Sequence, residues 1–448
     1  MMTTVAGLVF SNIHDRNIPE LTQKRTMASV PFGGRYRLID FALSAYVNAG
    51  ISKVGIITKQ NYKSLADHIG SGRPWDLSRK VDGLYMLPPF TPRQTELDAN
   101  DRIEALNRIM DFISHSKQEY VLLVDSNVIC NIDLSKLFNF HEEKNADITI
   151  AYANGKAPKL ERTMALSLDE NDKLTGVGID VKTDSDVNYS ANIILIRKAL
   201  LERLIGDAES YAYTSFEKDL IQKNVSHLNI YGYKINDWNC TIDSVETYFN
   251  ANMALLEKAT RKGLFSAERP VYTKVRNDMP VVYGIGSKCE NSLIADGCQI
   301  EGTVKNSIIF RGVRVAKGAV VENSILMQDA FVGEDAKLNC VIMDKNTVIT
   351  PKKVLSGEFG MTVKPFDAEV QKKATDGKEP IICRPADLIE PQLEQFEKEC
   401  AEWKKQDEDV LTYALFPKVA TDYFKYRKAQ EDKVDLSVAD TSSGSYPI

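Results

Sequence analysis

The sequence predicts an α/β domain over residues 1–263, a short left-handed β-helix over 264–352 and a mostly helical tail over 353–448. Three observations predict this order. Short β-branched runs alternate with helical spacing in the first part, as in a parallel sheet covered on both faces. An Asn-Ser-Ile phrase recurs through the second part, as stacked coils require. Composition then shifts near Pro351 towards Gly, Pro, Lys and Asp, as in a connecting segment.

In the first part, Val5–Phe10 (VAGLVF), Val54–Thr58 (VGIIT), Tyr120–Val124 (YVLLV) and Ile148–Tyr152 (ITIAY) read as strands. Leu38–Ala49 and Asp101–His115 carry helical spacing between them. In such folds ligands sit at the carboxyl ends of the strands, so the loops after Phe10, Thr58 and Val124 are the candidate site. In the second part the phrase begins at Asn291, Asn306, Asn323 and Asn339, a spacing of 15, 17 and 16 residues. Glycines 297, 302, 312, 318 and 333 break the Val/Ile alternation between them. An irregular β-sandwich would also hold many short strands; the recurring phrase favours the solenoid. So few coils leave open ends, which need a cap or a neighbouring subunit. In the tail, Ala386–Lys404 reads as a helix with Leu393, Phe396, Cys400 and Trp403 on one face.

Composition excludes several functions. A net charge of −6 gives no attraction to nucleic acid or an anionic membrane. No apolar run is long enough to span a bilayer. The 7 cysteines lack metal-ligand spacing and read as free thiols in a reducing cytoplasm.

Val30–Ser44 (VPFGGRYRLIDFALS) and Asn48–Ile51 (NAGI) resemble the signature of bacterial glucose-1-phosphate adenylyltransferases. His68–Leu77 (HIGSGRPWDL) and Gly83–Pro89 (GLYMLPP) resemble its GlgD-type branch, and Phe216–Ile221, Thr241–Asp243 and Ala251–Met253 continue the match. The resemblance covers about residues 1–350 and implies a Rossmann-like nucleotidyltransferase domain before the β-helix. The family joins ATP to glucose 1-phosphate and releases pyrophosphate. That chemistry needs glycine N–H groups for the triphosphate, cations against the transferring phosphoryl, and carboxylates holding magnesium.

The family pattern is broken at each of these. Its glycine-rich phosphate loop falls on Asn12, Ile13, His14, Asp15, Arg16, Asn17 and Ile18, with no glycine left and Asp15 adding negative charge. Its lysine after Arg25 falls on Met27, its glutamine on Lys59, and its Gly-Thr-Ala-Asp stretch on Asp101–Glu104. One metal-binding aspartate falls on Asn127, with Asp125 two residues back along the strand. The second falls on Trp238, beside Asp237. The resemblance therefore implies a regulatory subunit, weakly catalytic or inactive, with neither metal nor cofactor of its own. Magnesium and ATP belong to its catalytic relatives. A working adenylyltransferase with a divergent loop is the alternative.

As partners the resemblance implies a catalytic paralogue in a heterotetramer and a phosphorylated sugar effector such as fructose 1,6-bisphosphate. Two effector contacts of the family fall on Lys24 and Arg37, with Arg35 beside them, and such cations suit a bisphosphate. A solvated basic surface is the plain alternative. Lys218 and Asp219 can meet a sugar phosphate or cap the following helix.

The tail differs in kind. Gly357–Gly360 (GEFG), Cys383–Pro391 (CRPADLIEP) and Glu408–Pro417 (EDVLTYALFP) resemble the region after the barrel in oxaloacetate decarboxylase α subunits and pyruvate carboxylases. The metal-binding barrel and a biotin-lysine motif are lacking, so the resemblance implies a chemically inert piece, or an interaction module for a biotin-dependent decarboxylase.

Overall fold

The computed structural model describes residues 2–87, 102–183 and 185–357, together with the strands Lys364–Pro365 and Ile381–Cys383. These belong to one compact unit, Met1–Cys383. The helix expected over Ala386–Lys404 lies outside the described residues.

Nine strands form the sheet of the first domain. Val5–Phe10 lies at its centre, parallel to Lys53–Ile57 on one side and to Tyr120–Asp125 on the other. Both central strands are buried along their whole length, which is why they are continuous apolar runs. The sheet is mixed, which corrects the expectation of a purely parallel one. The long strand Val187–Arg197 runs antiparallel between Tyr120–Asp125 and Ile148–Gly155. Its first half is mostly polar (Val187-Asn188-Tyr189-Ser190), so an apolar run covers only Ile193–Ile196. The helical reading of Asp101–His115 resolves into two short helices, Arg102–Arg108 and Met110–Ser114.

Register positions the site. Phe10 pairs with Ile57 and with Asp125, so the loops after three neighbouring strands emerge side by side. Gly7 permits the close packing beneath them: a Cβ there would lie 2.6 Å from the Tyr46 ring. Tyr46, on the helix Leu38–Asn48, is fully buried and donates its hydroxyl to the carbonyls of Leu8 and Leu122 at 2.8 and 3.1 Å.

Beyond Leu264 the chain has no helix or strand until Val282, where the β-helix begins. Its coils build three parallel sheets, with Leu293–Ile294, Ile308–Ile309, Ile325–Leu326 and Val341–Met343 stacked in one of them. Its core is Val304, Ile309, Val315, Val321, Leu326, Val332 and their neighbours. Ile308, Phe310, Ile325 and Met327 instead pack with Phe32, Phe41 and Tyr248, so the β-helix docks on the first domain through an apolar face. It runs past residue 352, since Val354–Ser356 completes a sheet and Ile381–Cys383 pairs with Val341–Met343.

The recurring phrase has a physical cause. Asn291, Asn306 and Asn323 turn the coil at positive φ (42°, 46°, 47°). Their amides form a ladder, Asn291 Nδ2 to Asn306 Oδ1 at 2.9 Å and Asn323 Nδ2 to Asn339 Oδ1 at 2.8 Å. The fourth phrase is displaced by one residue. Ile325 pairs with Ile342 and Glu322 with Asn339, so the left-handed corner falls on Cys340 (φ 56°) and not on Asn339. A cysteine is strained there where asparagine is tolerated. Cys340→Asn is expected to raise the stability of the chain by about 0.5–1 kcal/mol, read as a higher urea midpoint at unchanged slope.

Candidate functional site

The loop after Phe10 is folded on itself. The N–H of Asn17 goes to the His14 carbonyl at 3.1 Å, and Asp15–Asn17 forms a single 3-10 turn. The Thr22 hydroxyl donates to the carbonyls of Asp15 and Ile18 at 2.6 and 2.9 Å. A phosphate cradle needs free N–H groups converging on one point, and this turn spends that of Asn17 internally. Asn12, Ile13, Asp15 and Asn17 are half-buried, Ile13 against the domain core. Asp15 Oδ1 accepts the Met27 N–H at 2.6 Å. Burial pushes the Asp15 carboxyl up to about 7, against the opposing effects of that hydrogen bond and of Lys59. Asp15 is thus only partly charged at neutral pH, and the obstacle to a phosphate is the shape of the turn more than repulsion. Met27 itself is wholly buried in the apolar cluster with Ile18, Phe41 and Tyr248.

The metal-site positions are also given over to structure. Asn127 is fully buried; its Nδ2 donates to the Ile242 carbonyl at 3.0 Å and its own carbonyl accepts the Ile242 N–H at 2.8 Å. Its Oδ1 has no partner. Trp238 packs against the cluster that docks the β-helix. Asp237 points to Arg269, at 2.9 Å. Among the described residues no group of three His, Cys, Asp or Glu side chains could hold a metal ion. One neutral amide and one carboxylate already paired to arginine do not suit magnesium, which needs several oxygen ligands, and the folded loop does not suit a triphosphate. Neither group fits this site.

Sequence reasoning missed what fills the cleft. Asp125, at the end of its strand, is fully buried and accepts both Arg102 terminal nitrogens, Nη1 to Oδ1 at 2.6 Å and Nη2 to Oδ2 at 2.7 Å. His14 Nε2 lies 2.7 Å from the same Oδ2. Arg102 Nε donates to Glu217 Oε1 at 2.7 Å, and the guanidinium lies 5.4 Å from the Phe10 ring centroid. Burial alone would raise the Asp125 carboxyl, but the Arg102 charge and then His14 outweigh it and hold it at about 2. Burial would lower Arg102, yet Asp125 and Glu217 raise it above its ordinary value. The available signals were an acid ending an apolar strand and an arginine within the broken Gly-Thr-Ala-Asp stretch.

The three basic candidates separate. Arg37 stands at the N-terminus of Leu38–Asn48, where Nη1 donates to the Ser64 carbonyl at 2.5 Å and to its hydroxyl at 3.0 Å. Its buried Nε has no partner. Asp40 links it to the helix, accepting the Arg37 N–H at 3.0 Å through Oδ2 while Oδ1 meets His68 Nε2 at 2.6 Å. Arg35 does not join Arg37: it reaches the β-helix, 2.6 Å from Asp296. Lys24 is exposed. Next to it Arg25 is buried and clasps Asp344 of the β-helix at 2.6 Å. Lys345, which sequence reasoning did not find, completes the group. Burial, then the charges of Arg37 and Arg25, push its ammonium down to about 6. Arg37, Arg25 and Lys345 thus act on one another at one interdomain seam, offset in part by Asp40 and Asp344.

Lys218 is exposed, and Asp219 Oδ2 accepts the N–H groups of Thr214 and Ser215 at 3.1 and 3.0 Å, while the Ser215 hydroxyl caps Phe216–Ile221 by accepting the Lys218 N–H at 3.2 Å. Lys223 adds an ion pair to Asp219 at 2.8 Å.

Fold and site define a protein of the nucleotidyltransferase fold with an appended hexapeptide β-helix. Residues 17–162 match the family described as nucleotidyl transferase, and residues 283–360 the GlmU-like C-terminal hexapeptide family. The chain is 33% identical to glycogen biosynthesis protein GlgD of Bacillus subtilis (strain 168) over 77% of its own length and 90% of that protein. It is 36% identical to GlgD of Geobacillus stearothermophilus, over 72% and 84%. Glucose-1-phosphate adenylyltransferase of Thermosipho africanus (strain TCF52B) is 28% identical over 72% and 78%. The chain belongs to the glucose-1-phosphate adenylyltransferase family, in its GlgD branch. Residues 331–446 match a conserved carboxylase domain, so that match begins within the β-helix and not after it. No helix among the described residues is long and apolar enough to cross a membrane.

Proposed function

We propose that this chain is a non-catalytic regulatory subunit of ADP-glucose pyrophosphorylase, which pairs with a catalytic paralogue and tunes its rate in glycogen synthesis. One observation carries the reading. The ends of Val5–Phe10 and Tyr120–Asp125, two of the strands expected to present nucleotide and metal ligands, are bridged by His14, Arg102, Asp125 and Glu217, bonded to one another. Arg37 and Lys345, with Arg25 behind them, support a second part of the reading: a phosphorylated sugar binds at the interdomain seam and biases the paralogue through the β-helix. Lys24, exposed and next in sequence to Arg25, is a further candidate contact. The test is a rate measurement on a mixture with a catalytic paralogue, with and without fructose 1,6-bisphosphate. The expected result is a changed maximal rate or effector response. An unchanged rate and unchanged effector response at every mixing ratio would sink the proposal.

A further inference from the structure

Four segments far apart in the chain meet in one cluster, in which Arg102 binds Asp125 and Glu217 and His14 binds Asp125. Asp125 closes the strand Tyr120–Asp125, His14 belongs to the folded loop, Glu217 to the turn Phe216–Ile221, and Arg102 opens the helix Arg102–Arg108. All four side chains are buried, at 0%, 7%, 3% and 5% exposure. Every nitrogen of the Arg102 fork is used, two on Asp125 and one on Glu217. Ser215 adds a contact from its hydroxyl to Glu217 Oε2 at 3.4 Å. A planar fork satisfying two carboxylates at once is a geometry that an ammonium cannot copy. Buried carboxylates need a cation, and this chain supplies Asp125 and Glu217 with one from its own side chains.

We propose that Arg102 is a built-in counter-ion that latches the walls of the cleft together without ligand, so that opening and closing around a nucleotide is replaced by a fixed side-chain bridge. The latch is a property of the isolated chain and holds whether or not a paralogue is regulated. Its test therefore uses the full chain alone.

Arg102→Ala empties the fork's volume, takes the guanidinium from Glu217 and leaves Asp125 with His14. Its unfolding temperature is expected to fall by more than about 5 °C. Hydrogen exchange should quicken in 11–17 and 214–221 before global unfolding. Methylguanidinium at low millimolar concentration should restore at least half of the lost temperature, and methylammonium should not. Adding Asp125→Asn to Arg102→Ala should abolish that rescue. If Arg102→Ala is insoluble, Arg102→Met combined with Asp125→Asn and Glu217→Gln removes cation and anions together and should fold. Wild-type stability in Arg102→Ala, equal rescue by methylammonium, or a triple variant as insoluble as the single one would each overturn the latch.

Discussion

Replacing Arg102 by alanine is expected to cost the folded chain about 3–5 kcal/mol and to invert its response to acid, because two buried carboxylates lose the guanidinium they share. In the wild type the Asp125 carboxyl sits at about 2, below its value of roughly 3.9 in an unfolded chain. A depressed carboxylate contributes stability that is complete above about pH 4 and is lost as pH falls towards 2. That contribution is about 3 kcal/mol, a share of the whole that urea midpoints measured against pH resolve. Without Arg102, desolvation dominates and the carboxyl moves above its unfolded value. The variant should then gain stability between pH 7 and pH 5, where the wild type stays level with respect to this group. Parallel pH profiles for the two proteins would show that the bridge carries little of the folding energy.

The second large effect belongs to the interdomain seam. Lys345 titrates at about 6 in the folded chain against roughly 10.4 when unfolded. Between those limits the folded state holds fewer protons, so this group makes stability rise with pH across that window. A bound phosphate reverses the balance, since it favours the ammonium. Binding of fructose 1,6-bisphosphate should accordingly take up a proton near pH 8 and tighten as pH falls from 8 to 7. Calorimetry in two buffers of different ionisation enthalpy measures that uptake directly. Arg37→Ala and Lys345→Ala should each weaken binding about tenfold to a hundredfold, the worth of one charge-assisted hydrogen bond. Arg35→Ala should change it little, because Arg35 is already paired with Asp296.

Much of the architecture was legible because its physical causes are local. Val5–Phe10 and Tyr120–Asp125 are apolar throughout because both faces are covered, and the Asn-Ser-Ile phrase repeats because each coil needs a residue tolerant of positive φ. The strand Val187–Arg197 was not legible, since its polar first half hides it. The broken phosphate loop could be read from Asn12 to Asn17 alone. The bridge could not, because the bonded pairs among His14, Arg102, Asp125 and Glu217 lie up to 115 residues apart and only the folded chain joins them. Lys345 escaped for the same reason: its meaning depends on Arg37 and Arg25 across the seam.

The purified chain supplied with ATP, glucose 1-phosphate and magnesium tests the proposed absence of catalysis most directly. No ADP-glucose or pyrophosphate should form above background at any magnesium concentration. Magnesium-dependent pyrophosphate release that disappears in Asn127→Ala would contradict it, and would mean that the cleft opens and the buried amide serves as a metal ligand after all.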